Sequence, residues 1–286
     1  MDFGPTFKIF REKKGFRAKD VAEGIVSVQF LRRFEKGEAD IRLSNFYQLL
    51  HRINVSFEEF IAFMELDSID YTVEKLEKDL DYILLKKDAV AMDRLTSYFA
   101  EQGEHSGNSS DQHFHIMLQI LSNQIFHTNY QPETDKLMEY LENCETWGSH
   151  EFFLANYASI IFTDEALFTH AKMALERVIN SRITHHYAND FLFRVCMHLI
   201  WQDKDDQAME LIQKFRSDSE LKPLLQFLLF HIAFVFLEGV VLGKNGDPKG
   251  YESCEEVIDF FYHRVGYKEY ANNLQMHLRH LQKSLK

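Results

Sequence analysis

Glycine, proline and cysteine are scarce in this sequence of 286 residues, which contains 12 glycines, 4 prolines and 3 cysteines. So few turn-forming residues argue against β-rich and Rossmann-like folds and favour long helices. The cysteines, Cys144, Cys196 and Cys254, form neither a CxxC motif nor an even-numbered framework, and no signal peptide is evident. These features predict an all-α protein of the reducing cytoplasm with buried thiols.

Long apolar runs and known catalytic motifs are missing as well. The most apolar stretch, residues 223–243, is interrupted by Gln226, His231 and Glu238, whereas a membrane-spanning helix needs about 20 consecutive apolar residues. We therefore expect a buried helix there and no membrane partner. The sequence has no GxSxG, no GxxxxGK[ST] and no strand-linked GxGxxG, and its carboxylates suggest solvated helix faces rather than a catalytic dyad, so we expect no enzyme.

Histidine is plentiful, but its spacing does not predict a metal site. Thirteen of the 14 histidines lie beyond residue 65, in pairs such as His113 with His115, His185 with His186 and His277 with His280. Two histidines do not complete a tetrahedral zinc shell, and the sequence has neither HExxH nor a Cys/His quartet. We expect no metal and no cofactor. A pH response through histidine protonation stays open as an alternative role.

Charge divides the chain into a nearly neutral N-terminal segment and an acidic remainder. Residues 1–65 hold 11 basic and 10 acidic side chains, whereas the remainder holds 21 and 34. Within residues 8–36, nine basic side chains face only four acidic ones. Such a local excess attracts phosphate groups, although a basic cluster on its own is often just a solvated helix face. The spacing of the residues has to decide between these interpretations.

The first 65 residues have the pattern of five short helices. We predict a first helix that ends near Gly15, a short second helix at 18–23, a third that starts at Val28 after the N-cap Ser27 and stops before Gly37, and two more at 42–53 and 56–64. A short helix, a tight turn and a basic helix form a helix-turn-helix. On the third helix Leu31 and Phe34 share the buried face, which leaves amide and guanidinium groups outside.

The exposed face of the third helix predicts binding to double-stranded DNA. Arginine reaches guanine and glutamine reaches adenine in the major groove, so we expect Gln29, Arg32 and Arg33 to read bases. Other side chains position the phosphates and set affinity. The predicted DNA-binding residues are Arg11, Lys14, Ser27, Val28, Gln29, Arg32, Arg33 and Lys36, of which Arg11, Lys14, Ser27 and Lys36 are assigned to phosphate contacts.

Several of these residues carry a family resemblance. The run Lys14-Gly15-Phe16, Asp20-Val21-Ala22, Val26-Ser27, Leu31 and Arg33-Phe34-Glu35-Lys36-Gly37 resembles the phage-repressor (XRE) helix-turn-helix. Its extension Glu38-x-Asp40-Ile41, and Trp147-Gly148 followed by Glu151-Phe152, resemble the Rgg/GadR/MutR regulators of low-GC Gram-positive bacteria. The resemblance implies a cytoplasmic homodimeric transcription factor whose C-terminal helical-repeat domain binds a short signalling peptide. The sequence departs from the repressor pattern at Ala18, where a glutamine usually contacts phosphate.

The acidic remainder has the pattern of helical hairpins. About eleven apolar helical segments follow Tyr71, separated by polar breaks that include 102–110, 128–132 and 244–248. Apolar residues recur at a spacing of 34, as at Tyr157, Phe191 and Leu225, which is the tetratricopeptide period, although chance is a competing explanation. We predict a helix-turn-helix domain at 1–65, a linker at 66–70, and a tetratricopeptide-like right-handed helical-repeat domain at 71–286 that binds peptide and dimerises, with residues 251–286 as a self-association face.

A concave groove in this second domain is the predicted peptide site. The expected binding residues are Asn156, Tyr157, Asp190, Arg194, Gln226 and Phe230. The Asn156 amide suits a peptide backbone, Asp190 either accepts a peptide N–H or holds Arg194 toward a peptide carboxylate, and the aromatic rings receive apolar side chains. The alternative is structural: Asn156 satisfies a neighbouring helix terminus, while Asp190 and Arg194 form an i,i+4 ion pair.

The sequence therefore predicts a sequence-specific DNA-binding regulator of transcription, controlled by a short hydrophobic signalling peptide in quorum sensing. The alternative is a helical-repeat peptide receptor that sequesters a protein partner and does not bind DNA. Salt separates the two possibilities, because DNA binding weakens steeply as salt rises, by about 0.9 in log K per phosphate neutralised for each unit of log salt.

Overall fold

The computed structural model describes residues 3–64, 73–180, 186–219 and 225–284, and every regular element within these ranges is helical. The all-α prediction is confirmed. The chain forms two compact units, Met1–Thr72 and Val73–Lys286. The predicted linker at 66–70 lies outside the described residues, and its limits stay a prediction.

The N-terminal unit contains the five predicted helices: α1 (Phe3–Lys13), α2 (Ala18–Ala22), α3 (Val28–Phe34), α4 (Leu43–Arg52) and α5 (Phe57–Met64). Local chemistry sets their ends. Ser27 caps α3, since its Oγ accepts a hydrogen bond from the Phe30 amide at 3.1 Å. Gly15, beyond α1, and Gly37, beyond α3, both adopt a φ of +75°, which costs glycine little.

The core of this unit is rich in phenylalanine. Phe46 lies at its centre and packs against Phe7, Phe34 and Phe60 with ring centroids 5.0 to 6.1 Å apart. These four rings are almost completely buried. A Cβ added at Gly4 would lie 1.7 Å from the carbonyl oxygen of Phe34. Glycine at that position therefore lets α1 cross the end of α3 closely, which fixes the recognition helix candidate on the core.

The second unit contains eleven helices in its described part: α6 (Val73–Lys86), α7 (Ala89–Ser106), α8 (Ser109–Phe126), α9 (Thr134–Asn143), α10 (Ser149–Tyr157), α11 (Asp164–Asn180), α12 (His186–Trp201), α13 (Asp205–Ser219), α14 (Leu225–Lys244), α15 (Pro248–Asp259) and α16 (Lys268–Ser284). A 3₁₀ turn, Ser159–Ile161, follows α10, and a π-helical turn, Phe260–Val265, follows α15. The predicted break at 102–110 is too long, because α7 continues to Ser106 and ends at Gly107 in the left-handed conformation.

Consecutive helices of this unit pack in pairs, and helices two apart also touch. The helix α12 contacts α11 and α13 on one side and α10 and α14 on the other, and most of its residues are buried. The pattern is that of a two-layered helical repeat. The predicted spacing of 34 residues is wrong, however, since α11, α13 and α15 begin at Asp164, Asp205 and Pro248, 41 and 43 residues apart. Helices of 15 to 20 residues make these units longer than a tetratricopeptide hairpin.

The most apolar helix, α14, lies in the core of this unit. It buries Phe234, Leu237 and Val240. None of the described helices is both long enough and apolar enough to cross a membrane.

The three cysteines differ in burial. Cys196 and Cys254 are buried as predicted, whereas Cys144, just after α9, is partly exposed. Burial raises the pKa of the Cys254 thiol to about 12. The two buried thiols are therefore packing residues.

Candidate functional site

The outer face of α3 is the first candidate site. Gln29, Arg32, Arg33 and Lys36 are exposed, while Leu31 and Phe34 are buried on the opposite side. Among the described residues, neither Gln29 nor Arg32 has a hydrogen-bond partner for its side chain. Arg33 donates to the carbonyl of Glu38 at 3.3 Å. This face combines free amide and guanidinium groups in the way that base recognition requires.

The remaining residues predicted for DNA binding have mixed surroundings. Lys14 is exposed but donates to the carbonyl of Asn54 at 2.7 Å. Ser27 is exposed and caps α3, and Val28 is partly buried against the core of the unit. Lys36 lies 3.8 Å from the carboxylate of Glu38. The contacts of these residues with DNA stay predictions.

The prediction for Arg11 is wrong. Its side chain is only 9% exposed and forms a forked pair with Glu35, with N···O distances of 2.5 and 2.9 Å, while Nη1 donates to the carbonyl of Phe16 at 2.9 Å. The hydrogen bond to Glu35 raises the pKa of the guanidinium further. With its donors satisfied inside the unit, Arg11 does not reach a phosphate. Its position one turn after the buried Phe7 was the sequence signal for this burial.

Sequence reasoning also missed a residue that holds the helix-turn-helix together. Arg52 at the end of α4 donates to the carbonyls of Asp20 and Glu23, at 3.2 and 2.6 Å. These carbonyls lie at the C-terminal end of α2, where a cation also interacts favourably with the helix dipole. Arg52 therefore fixes α2 on α4, and no local pattern around residue 52 indicates this contact.

A cavity of about 620 Å³ in the second unit is the other candidate site, lined by residues of α6, α10, α12, α14 and α16. Five of the six predicted peptide-binding residues line it together: Asn156, Tyr157, Asp190, Arg194 and Phe230. The side chain of the sixth, Gln226, lies outside the described residues. The helices around the cavity belong to one layer of the repeat, because they alternate along the chain. Their grouping explains how distant residues meet.

The start of α10 explains how Asn156 and Tyr157 are positioned. Glu151 accepts a hydrogen bond from the amide of Gly148 at 2.7 Å, which satisfies a backbone donor at the helix N-terminus. The ring of Trp147 is buried and donates to the carbonyl of Leu141 at 3.0 Å. This Trp-Gly-x-x-Glu segment thus anchors α10 to α9 and directs the other end of α10 into the cavity wall.

Asn156 has one satisfied and one open polar atom. The residue is 6% exposed, and its Nδ2 donates to the carbonyl of Tyr187 at 3.1 Å. Its Oδ1 is buried without a hydrogen-bond partner among the residues described. The structural alternative therefore describes the donor side, where Asn156 supports the start of α12. The acceptor side is available to a bound donor, because buried polar atoms are rarely left unpaired.

Asp190 and Arg194 do not form the i,i+4 ion pair of the structural alternative. No nitrogen of Arg194 lies within 4.0 Å of the Asp190 carboxylate, and the guanidinium carbon lies 5.8 Å from the centre of the Tyr157 ring. Burial raises the pKa of Asp190 to about 6. Both side chains line the cavity with charge that the described residues do not neutralise by direct contact.

The structure adds carboxylates from α6 that sequence reasoning missed. Glu77 and Asp81 line the cavity beside Asp190. Glu77 accepts a hydrogen bond from the Tyr187 hydroxyl at 3.0 Å and lies 3.6 Å from His186. Hydrogen bonding from His186 and Tyr187 lowers the pKa of Glu77, whereas burial and the charge of Glu77 raise the pKa of Asp81. An acid on an amphipathic helix gives no local signal that it faces a cavity.

The histidines form contacts of several kinds. His113 Nδ1 lies 3.3 Å from His150 Nε2, and burial lowers the pKa of His113 to about 4. His277 lines the cavity, where burial lowers its pKa. Whether any of these rings responds to pH in the function of the protein stays open.

Within the described ranges, no group of three or more His, Cys, Asp or Glu side chains is arranged to hold a metal ion. His185, a member of one of the predicted pairs, lies outside those ranges. The cavity is therefore described by its carboxylates, its amide and its aromatic rings.

Known proteins resemble both units of the chain. A family model described as the C-terminal domain of the HTH-type transcriptional regulator Rgg matches residues 96–276, and a helix-turn-helix model matches residues 7–60. A putative transcriptional regulator of Listeria monocytogenes EGD-e, whose structure is solved, shares the fold with a TM-score of 0.83 and 21% identity, over 99% of this chain and 98% of the other.

Two further structures are similar along the whole chain. The Streptococcus dysgalactiae SHP pheromone receptor Rgg2 gives a TM-score of 0.78 at 19% identity, covering 97% of this chain and 99% of that one. A bacterial peptide pheromone–receptor complex gives 0.77 at 13% identity, covering 98% of both chains. At such identities the likeness shows a shared fold, and the two family matches supply the assignment. The chain belongs to the Rgg family of helix-turn-helix DNA-binding transcriptional regulators, which are not enzymes.

Proposed function

We propose that this protein is a cytoplasmic homodimer that binds a specific DNA site and is controlled by a short hydrophobic peptide in the cavity of its second unit. The observation that carries the proposal is the open acceptor of Asn156 in a cavity with aromatic walls. Two solved proteins of this fold are described as a pheromone receptor and as a peptide pheromone–receptor complex. Their descriptions support a peptide as the ligand.

The proposed DNA contacts come from α3 and its surroundings. Gln29, Arg32 and Arg33 read base edges in the major groove, and Lys14 and Lys36 contact phosphates, since all five side chains are exposed. In a dimer, two such helices enter successive major grooves about 34 Å apart on an imperfect palindrome. Residues 251–286 are the proposed self-association face.

The proposed peptide contacts lie on α10, α12 and α14. The peptide backbone donates to Asn156 Oδ1, and Tyr157 and Phe230 receive apolar side chains. The helix α12 carries Asp190 and Arg194 and also packs against four neighbouring helices. A ligand held by α12 therefore favours one packing of the repeat over another, provided that it binds the two packings with different affinity.

A thermal-shift screen tests the peptide site. Synthetic octapeptides of Leu, Ile, Val and Phe are added to the full-length protein, and a peptide that binds only the native state raises its melting temperature by mass action. We expect Asn156→Ala to remove most of the shift produced by the best peptide. The matched control is Asn189→Ala, which truncates a buried asparagine of α12 that does not line the cavity.

The comparison of the two variants separates ligand binding from general destabilisation. We expect the Asn189 variant to melt earlier but to keep its shift with peptide. A full shift in the Asn156 variant contradicts the assigned contact. If no peptide shifts the wild type, the cavity is not a peptide site, and a protein partner becomes the alternative ligand.

A further inference from the structure

We propose that the cavity selects a peptide bearing a positively charged group, which is held between Asp81 of α6 and Asp190 of α12. The inference rests on the proposed peptide site and adds the chemical class of its ligand. An amino terminus, a lysine and an arginine all supply such a cation with hydrogen-bond donors.

The charges that line the cavity are unequal. Among the described lining residues, three carboxylates, Glu77, Asp81 and Asp190, face a single guanidinium, that of Arg194. Two imidazoles also line it, but His198 is held by Asp164 at 2.7 Å. Burial and the positive charges of His280 and Arg194 lower the pKa of His277, so this ring is neutral near pH 7. An excess of negative charge therefore remains in the cavity.

Hydrogen bonding distinguishes the three carboxylates. Glu77 is satisfied by the Tyr187 hydroxyl and by His186. In contrast, no described residue donates a hydrogen bond to the side chain of Asp81 or Asp190. Burial of each is strong enough to raise its pKa, and the charge of Asp81 contributes to the rise at Asp190. Two close carboxylates without donors are costly in a protein interior unless a partner neutralises them.

A second observation gives the chemistry of that partner. Asn156 is 6% exposed and lines the same cavity, and its Oδ1 is unpaired within the described part of the chain. The three open groups, Asn156 Oδ1 and the carboxylates of Asp81 and Asp190, are all acceptors. Their common complement is a group rich in N–H donors and without acceptors, which describes an ammonium or a guanidinium. The tyrosine and phenylalanine rings of the wall add favourable faces for a cation.

A metal ion is the other cation that carboxylates attract. Within the described residues, Glu77, Asp81 and Asp190 do not form a group arranged to hold a metal. An organic cation is larger and binds through directed N–H donors, so it does not need the carboxylates to converge on one point. The geometry thus favours a charged group of the peptide.

Matched peptides test the selection. The probes are octapeptides of Leu, Ile, Val and Phe in which one lysine is placed at each position in turn, and each is compared with the same peptide carrying norleucine. Every peptide is made with a free and with an acetylated amino terminus. Dissociation constants are measured at pH 7.5 by fluorescence polarisation. We expect the best cationic peptide to bind at least about tenfold more tightly than its neutral partner, the range of one charge-assisted hydrogen bond.

The variants are compared through the ratio of the neutral to the cationic dissociation constant. Asp190→Asn and Asp81→Asn are expected to bring the ratio close to one, while Glu145→Gln, at an exposed acid outside the cavity, is expected to keep it. Loss of the preference on acetylation identifies the amino terminus as the cation, and loss with norleucine identifies the side chain.

Two results overturn the inference in different ways. Equal affinity for neutral and cationic peptides in the wild type, with no effect of Asp190→Asn, refutes the cation but leaves the peptide site intact. Absence of binding by every peptide refutes the peptide site itself. A preference that survives in both aspartate variants shows that the cation lies elsewhere and also refutes the assignment.

Discussion

At the scale of single residues, Asp190 carries a cost for the folded protein. Its carboxylate is buried beside Glu77 and Asp81, and burial together with their charges favours its protonated form, while Arg194 and His186 favour the ionised form. The balance raises the pKa of Asp190 to about 6. Residues that bind ligands often carry such a cost, because the group that stabilises them arrives only with the ligand.

The cost predicts a pH-dependent gain in stability for Asp190→Asn. A carboxyl with a raised pKa in the native state stabilises the fold below the unfolded pKa of about 4, and this contribution is lost as pH rises through about 6. At pH 7.5 the variant is therefore expected to gain up to about 3 kcal/mol of unfolding free energy. The gain shrinks at pH 5.

Urea denaturation of the unliganded protein at the two pH values, followed by circular dichroism, measures the difference. Three further groups are near enough to matter: Tyr157, Tyr270 and Arg194 of the cavity wall. The two tyrosines stay neutral in this pH range because burial raises their pKa. A variant that is less stable than wild type at both pH values would refute the assigned cost.

At the scale of elements, the ion pair between Arg11 and Glu35 joins α1 to the C-terminal end of α3. Both side chains are nearly buried, at 9% and 4% exposure. A buried pair contributes little over apolar residues of similar size, but removal of one partner leaves an uncompensated charge. The pair therefore matters for the position of the recognition helix candidate, although Arg11 is not placed to contact DNA.

This pair predicts non-additive mutations. Arg11→Met is expected to cost about 3 to 5 kcal/mol of unfolding free energy, and the double variant Arg11→Met/Glu35→Leu is expected to recover most of that loss. Lys13→Met, at an exposed position of the same helix, serves as the control and should change stability by less than about 0.5 kcal/mol. Denaturant unfolding of the full chain measures all four proteins. Equal losses in the single and double variants would show that the pair does not act as a unit.

The sequence predicted elements best where their ends are set locally. Ser27 and Gly37 mark the limits of α3 because a cap and a left-handed residue act within one turn of the helix. The spacing of 34 residues failed because helix lengths in the second unit follow packing between distant helices. Arg11 was misassigned for a similar reason, since its partner Glu35 is 24 residues away.

At the scale of the whole molecule, residues close in sequence were also easier to assign to the candidate site than distant ones. Asn156, Tyr157, Asp190 and Arg194 come from adjacent helical units, so their alternation predicted a common face. Glu77 meets Tyr187 across 110 residues, and no pattern in the sequence places α6 at the cavity. The carboxylates that set the charge of the cavity were therefore visible only in three dimensions.

The whole chain has a net charge of -12, yet α3 and the residues just after it present Arg32, Arg33 and Lys36 to solvent. Overall repulsion of DNA therefore has to be overcome by a local positive field, which is screened by salt. Base contacts then decide the sequence that is bound, while phosphate contacts set the affinity for any duplex. This division of roles is the central claim for the N-terminal unit.

The most direct test is the binding of wild type, Arg32→Ala and Lys36→Ala to a duplex selected from random sequence and to a scrambled duplex, each across a salt series. We expect Arg32→Ala to weaken binding to the selected duplex by about 1 to 3 kcal/mol and to leave the scrambled one little changed. Lys36→Ala is expected to weaken both equally and to lower the salt slope by about 0.9. Equal weakening of both duplexes by Arg32→Ala, or a wild type that selects no sequence, would contradict the division of roles.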